Sequence, residues 1–105
     1  MYDEWADNDR QYFRQLYVRS LQVIVTWYRK VNAWDEVELY GNKGFALEPE
    51  NVDFCGALLE CAGARREMYS LKKVYSEHEH ALNEVFGDAP SKGIKELYQS
   101  CLDKL

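Results

Sequence analysis

The chain has 105 residues, of which 47% are hydrophobic and 30% charged, and its net charge is −5. That length and mix fit one folded domain, and they exclude a disordered tail or a pair of separate cores. The acidic balance argues against a free-standing nucleic-acid binder, which needs a basic excess to meet phosphates. No apolar run of ~18 residues is present to span a membrane.

Residues 3–31, "DEWADNDRQYFRQLYVRSLQVIVTWYRKV", contain neither Gly nor Pro and predict one long helix of roughly 43 Å. Apolar residues recur at Tyr12, Leu16, Val23 and Trp27, flanked by Phe13, Tyr17, Leu21, Ile24, Tyr28 and Val31. This stripe is broad enough to predict packing against two neighbours. Acids at the start (Asp3, Glu4, Asp7, Asp9) and Arg29 and Lys30 at the end suit the helix dipole. Asn32 offers a stop and a cap for a second helix over 34–47, ended by Pro49. Gly41 and Gly44 lie inside that helix, where each costs about 1 kcal/mol relative to Ala. Their presence predicts a helix whose backbone is closely approached by another.

A third helix is expected from Asn51 or Asp53, carrying Phe54, Cys55, Leu58, Leu59 and Ala62 and closing near Gly63. The fourth is predicted over 65–86, with Met68, Leu71, Val74, Tyr75, Leu82 and Val85 at helical spacing and Gly87 as its C-terminal stop. Ser91 caps a last short helix whose apolar face is Ile94, Leu97, Tyr98, Cys101 and Leu102. The small basic groups, such as Arg65/Arg66 and Lys72/Lys73, are interleaved with acids and read as solvated faces.

Sliding the sequence by 34 residues sets Leu21 on Cys55, Ile24 on Leu58, Val25 on Leu59, Asn32 on Arg66 and Val37 on Leu71. A helix-turn-helix unit at this period has tetratricopeptide spacing, and "FALEPEN" supplies a proline at the junction between units. The expected fold is therefore all-α: two degenerate 34-residue helix pairs forming a tetratricopeptide-like superhelix, plus a C-terminal helix capping the second pair. A groove in such a repeat is lined by the first helix of each unit. By the register, its residues are Arg19, Gln22, Thr26, Arg29 and Lys30 from one unit, and Asp53, Gly56 and Glu60 from the next. Solvation alone accounts for polar residues there. The functional alternative is a groove for an acidic or carboxylate-bearing protein segment, in which case Arg29→Glu with Lys30→Glu abolishes binding.

Signals for chemistry are weak. His78 and His80 in "SEHEHAL" point about 200° apart on a helix and cannot share a metal, so both read as solvated. The acids beside them disfavour a phosphorylatable histidine. The three cysteines are odd in number, lack paired spacing and have no signal peptide ahead of them, which points to a reducing cytoplasm. Cys55 and Cys101 lie on apolar faces, and "GNKG" at 41–44 sits within a predicted helix, away from any strand-to-helix loop. The expectation is a protein without catalytic residues, cofactor or metal.

The order of features resembles the bacterial transcriptional activator domain, the tetratricopeptide-like module of regulators of the antibiotic regulatory protein (SARP) type. The resemblance covers nearly the whole chain. Its parts are the aromatic–acidic–arginine opening "EWADNDRQYFRQLYVRSL", the small-residue helix with Gly41, Gly44, Phe45, Leu47, Glu48 and Pro49, and a tyrosine helix with Tyr75 followed by "EVFG", "APS" and "ELYQ". The chain departs from the family pattern at Val52, Arg66 and Leu71, where an acid, a glycine and an alanine are usual.

The resemblance implies an interaction and regulatory module of a DNA-binding transcription regulator. Residues 1–105 are then one domain from the C-terminal side of a longer protein, with DNA contact in a preceding winged-helix domain. The partners it implies are proteins: the regulator's own DNA-binding or receiver domain, the transcription machinery, or a second copy. No direct nucleic-acid contact and no membrane are expected for this part. Tyr2 and Trp5 are candidates to pack against the preceding domain. The rival reading is a stand-alone tetratricopeptide-like adaptor.

Overall fold

The computed structural model describes residues 2–105, with side chains from Asp9 onward, and consists of five α-helices with no strand among those residues. They are α1 (Tyr2–Lys30), α2 (Trp34–Leu47), α3 (Val52–Ala64), α4 (Met68–Phe86) and α5 (Lys92–Asp103). The expected packing of the Tyr2 and Trp5 side chains lies outside the described residues.

α1 and α2 are joined by a tight turn in which Asn32 takes a left-handed φ of 56°. The Asn32 N–H donates to the Arg29 carbonyl at 3.2 Å and the Ala33 N–H to the Tyr28 carbonyl at 3.0 Å, so two of the last carbonyls of α1 are satisfied. The α3–α4 turn repeats this arrangement 34 residues later. Arg66 has φ 55°, and the N–H groups of Arg66 and Glu67 donate to the Gly63 and Ala62 carbonyls at 3.2 and 2.9 Å. Asn32 is thus a stop and not a cap; the residue capping α2 is Ala33, whose side chain makes no cap bond. Because Arg66 is left-handed, α4 starts at Met68, three residues later than the sequence predicts.

α3 is the centre of the packing and touches each of the other four helices. Asn51 caps it by accepting from the Asp53 N–H at 2.9 Å and the Phe54 N–H at 3.4 Å. Its interior is almost wholly buried, with Phe54, Cys55, Ala57 and Leu59 fully enclosed. Gly44 of α2 lets the Phe54 ring approach so closely that a Cβ there would lie 2.2 Å from it, and a Cβ on Gly41 would lie 3.0 Å from Leu58 Cδ2. α3 closes at Ala64, one residue after Gly63 and as the sequence predicts, and the missing side chain of Gly63 admits Cys101 of α5, whose Sγ would be 2.8 Å from a Cβ there.

The stripe on α1 packs on one side only. Val18, Leu21 and Val25 are buried against α2 and α3, while Tyr12, Phe13, Leu16, Val23 and Trp27 are exposed. α1 thus has the two neighbours its stripe predicts, α2 and α3, but among the described residues both lie on one face of the helix. At the other end, Tyr75 of α4 and Tyr98 of α5 stack with ring centroids 4.0 Å apart and planes 7° apart, fastening α5 over α3 and α4. The left-handed Gly87 (φ 67°) ends α4, and the Ser91 hydroxyl caps α5 by accepting from the Ile94 N–H at 3.3 Å. The body measures 54 × 32 × 20 Å. Among the described residues no helix is long and apolar enough to cross a membrane.

Candidate functional site

α1 and α3 run parallel, and two polar contacts tie them at one constant offset. The Gln22 amide donates to Asp53 Oδ2 at 2.9 Å, and two turns further along the Arg29 Nε–H donates to Glu60 Oε1; both pairs are 31 residues apart in sequence. The Arg29 guanidinium lies over Gly56, where a Cβ would be 3.2 Å from Nη2. A glycine at 56 therefore allows the arginine to lie flat along the helix and reach its carboxylate partner.

On the outer side of this ladder lies a shallow groove. Arg19, Gln22, Thr26 and Lys30 line it from α1 and Asp53 from α3, with Val23 and Trp27 supplying apolar surface. Among the described residues, neither Arg19 nor Lys30 is in an ion pair with an acid, whereas Asp53 is held by Gln22 and the Arg29 charge is countered by Glu60. The groove therefore carries a positive excess next to apolar surface. Beyond the Arg29–Glu60 pair the surface continues toward α5, where Leu97, Ser100 and Lys104 join Gly63 and Ala64.

Five of the residues chosen from the repeat register, Arg19, Gln22, Thr26, Lys30 and Asp53, thus meet around one groove. Arg29 and Glu60 form the tie at its end. Since Arg29→Glu would set two acids side by side across α1 and α3, the groove is better probed at Arg19 and Lys30. Val23 and Trp27 were not read as groove residues because apolar side chains at helical spacing default to the core. The α5 residues were missed because the register was applied to two units and not extended to the last helix.

Outside the groove, His78 departs from the solvated position read from the sequence. It is fully buried, with Nδ1 2.8 Å from the Pro49 carbonyl and Nε2 without a hydrogen-bond partner among the described residues. Position 78 lies four residues after Val74 and seven after Leu71, on the inward stripe of α4. His80 faces solvent and lies 3.1 Å from Glu84. All three thiols are buried. Burial pushes the Cys55 thiol up to about 12, with the Arg29 charge offsetting part of the rise, and burial also raises Cys61 and Cys101. None of the three is therefore a ready thiolate nucleophile near neutral pH. Among the described residues, no group of three or more His, Cys, Asp and Glu is placed to hold a metal ion.

Compared with protein-family models, curated proteins and solved structures, the chain matches none of them.

Proposed function

We propose that the chain is a tetratricopeptide-like protein-interaction module, with α1–α2 and α3–α4 as its two units and α5 as the cap, that binds an acidic segment of a protein partner along α1 and α3. The observation that carries this reading is the constant-offset ladder of Gln22–Asp53 and Arg29–Glu60, which leaves Arg19 and Lys30 open beside Val23 and Trp27. A carboxylate-bearing strand or helix laid there gains charge-assisted contacts from two cations and apolar contact from Trp27. The like turns at Asn32 and Arg66, 34 residues apart, support the repeat.

The resemblance to the bacterial transcriptional activator domain extends the proposal to a regulatory module of a cytoplasmic transcription regulator whose DNA contact lies in another domain. The net charge of −5 suits a part that does not itself meet phosphates. Intact mass and N-terminal sequencing of the native protein, recovered with an antibody to this domain, test that extension. A basic winged-helix segment ahead of Tyr2 supports the regulator. A native chain of this length refutes it and leaves the adaptor reading in its place.

A further inference from the structure

The exposed face of α1 is arranged for a second helix. Phe13, Leu16, Ser20, Val23 and Trp27 follow one another at alternating steps of three and four residues, the spacing of a helix–helix seam. They lie nearly opposite the buried Val18, Leu21 and Val25. Tyr12, Phe13 and Trp27 are 60%, 65% and 60% exposed. At roughly 150–250 Å² per aromatic side chain, these three leave roughly 350 Å² in water, which already matches the largest apolar patch of a typical monomer, roughly 300–600 Å². With Leu16, Val23 and Val31 the face approaches the roughly 800 Å² per partner that a standard interface buries.

Charge selects the occupant and its direction. The seam is bounded by Asp9 at one end and Lys30 at the other, continuing the same three-and-four spacing. Other acids (Asp3, Glu4, Asp7) precede Asp9, and Arg29 adjoins Lys30. Two copies of this helix aligned in parallel oppose like charges at both ends. Aligned antiparallel about Ser20, they set Asp9 of each copy beside Lys30 of the other, Phe13 across from Trp27 and Leu16 across from Val23, with the small Ser20 at the crossing point. We infer that the chain self-associates as a two-fold symmetric dimer through antiparallel α1 helices. The seam and the groove share Val23, Trp27 and Lys30, so a second copy and an acidic partner compete for that end of α1, whereas Asp9, Phe13, Leu16 and Ser20 belong to the seam alone and carry its test.

Sedimentation equilibrium and carbodiimide crosslinking of the whole chain test it. At roughly 100 µM, a concentration that populates a complex across a standard-size interface, the protein is expected to sediment at twice its 12.4 kDa mass. Leu16→Glu, at an exposed position, is expected to raise the dimer dissociation constant at least about tenfold with an unchanged circular dichroism spectrum. Asp9 and Lys30 are roughly 31 Å apart along one helix, so a zero-length crosslink between them forms only between copies, and mass spectrometry of the native protein is expected to find it. A monomer at that concentration, a dimer unaffected by Leu16→Glu, or a dimer whose crosslinks omit the Asp9–Lys30 pair overturns the proposal.

Discussion

A single methyl group at position 44 decides whether α2 and α3 can close on one another. Gly44→Ala gains about 1 kcal/mol of helix propensity, but its Cβ would sit 2.2 Å from the Phe54 ring, which is buried and cannot retreat. Overpacking of that kind costs about 1–3 kcal/mol, so the variant is expected to lower the urea midpoint. Gly93→Ala, in open space on α5, is expected to stabilise the fold by about 0.5 kcal/mol and so to raise the midpoint. His78→Ala leaves a cavity and an orphaned Pro49 carbonyl and is expected to cost about 2–4 kcal/mol by the same assay.

The Cys55 thiol gives a pH dependence with a definite sign. Its folded value, about 12, lies above its ordinary 9.0. Both states hold the proton below pH 9, and between pH 9 and 12 the unfolded chain ionises while the folded one does not. Stability is therefore complete below the lower value and falls across that window. Thermal melts from pH 8 to 11 are expected to show a decline that Cys55→Ala makes shallower. The glycine contacts were legible in the sequence, because a glycine inside a helix carries a local cost that close packing explains. His78 was not, since the flanking Glu77 and Glu79 make the stretch look solvated although every third or fourth residue points inward.

At the scale of elements, the helices were legible from their periodicity, caps and breakers, and the turns decided their boundaries. Asn32 and Arg66 both occupy the left-handed region, where a side chain at the wrong position costs roughly 1–2 kcal/mol and asparagine is better tolerated than arginine. Arg66→Gly is accordingly expected to stabilise the fold by up to about 1 kcal/mol, with a smaller gain for Asn32→Gly. Chemical denaturation of the two variants side by side checks the order. A loss at Arg66→Gly would show that the arginine side chain contributes more than its backbone strain removes. The exposed half of the α1 stripe was not legible as exposed, because a hydrophobic period records that a face seeks a neighbour and not whether the chain itself provides one. The ladder between α1 and α3 was only half legible. The repeat register named its residues, but which of them pair and which stay open depends on how closely Gly56 lets Arg29 lie against α3.

For the molecule as a whole, α3 is enclosed by all four other helices, and α5 covers its far end through Cys101 against Gly63 and Tyr98 against Tyr75. A central helix packed against every other element ties them into one cooperative unit, so unfolding is expected to be two-state, with circular dichroism and intrinsic fluorescence transitions coinciding. In the groove two cations remain open beside the apolar surface of Val23 and Trp27, and the functional account depends on that pairing. Its most direct test is a ¹H–¹⁵N titration of the chain with a short peptide of alternating glutamate and leucine, repeated on Arg19→Glu/Lys30→Glu. The account predicts shifts concentrated at Gln22, Val23, Thr26, Trp27 and Asp53, abolished in the double variant with the rest of its spectrum intact. Shifts centred elsewhere, or binding that survives both charge reversals, would contradict it.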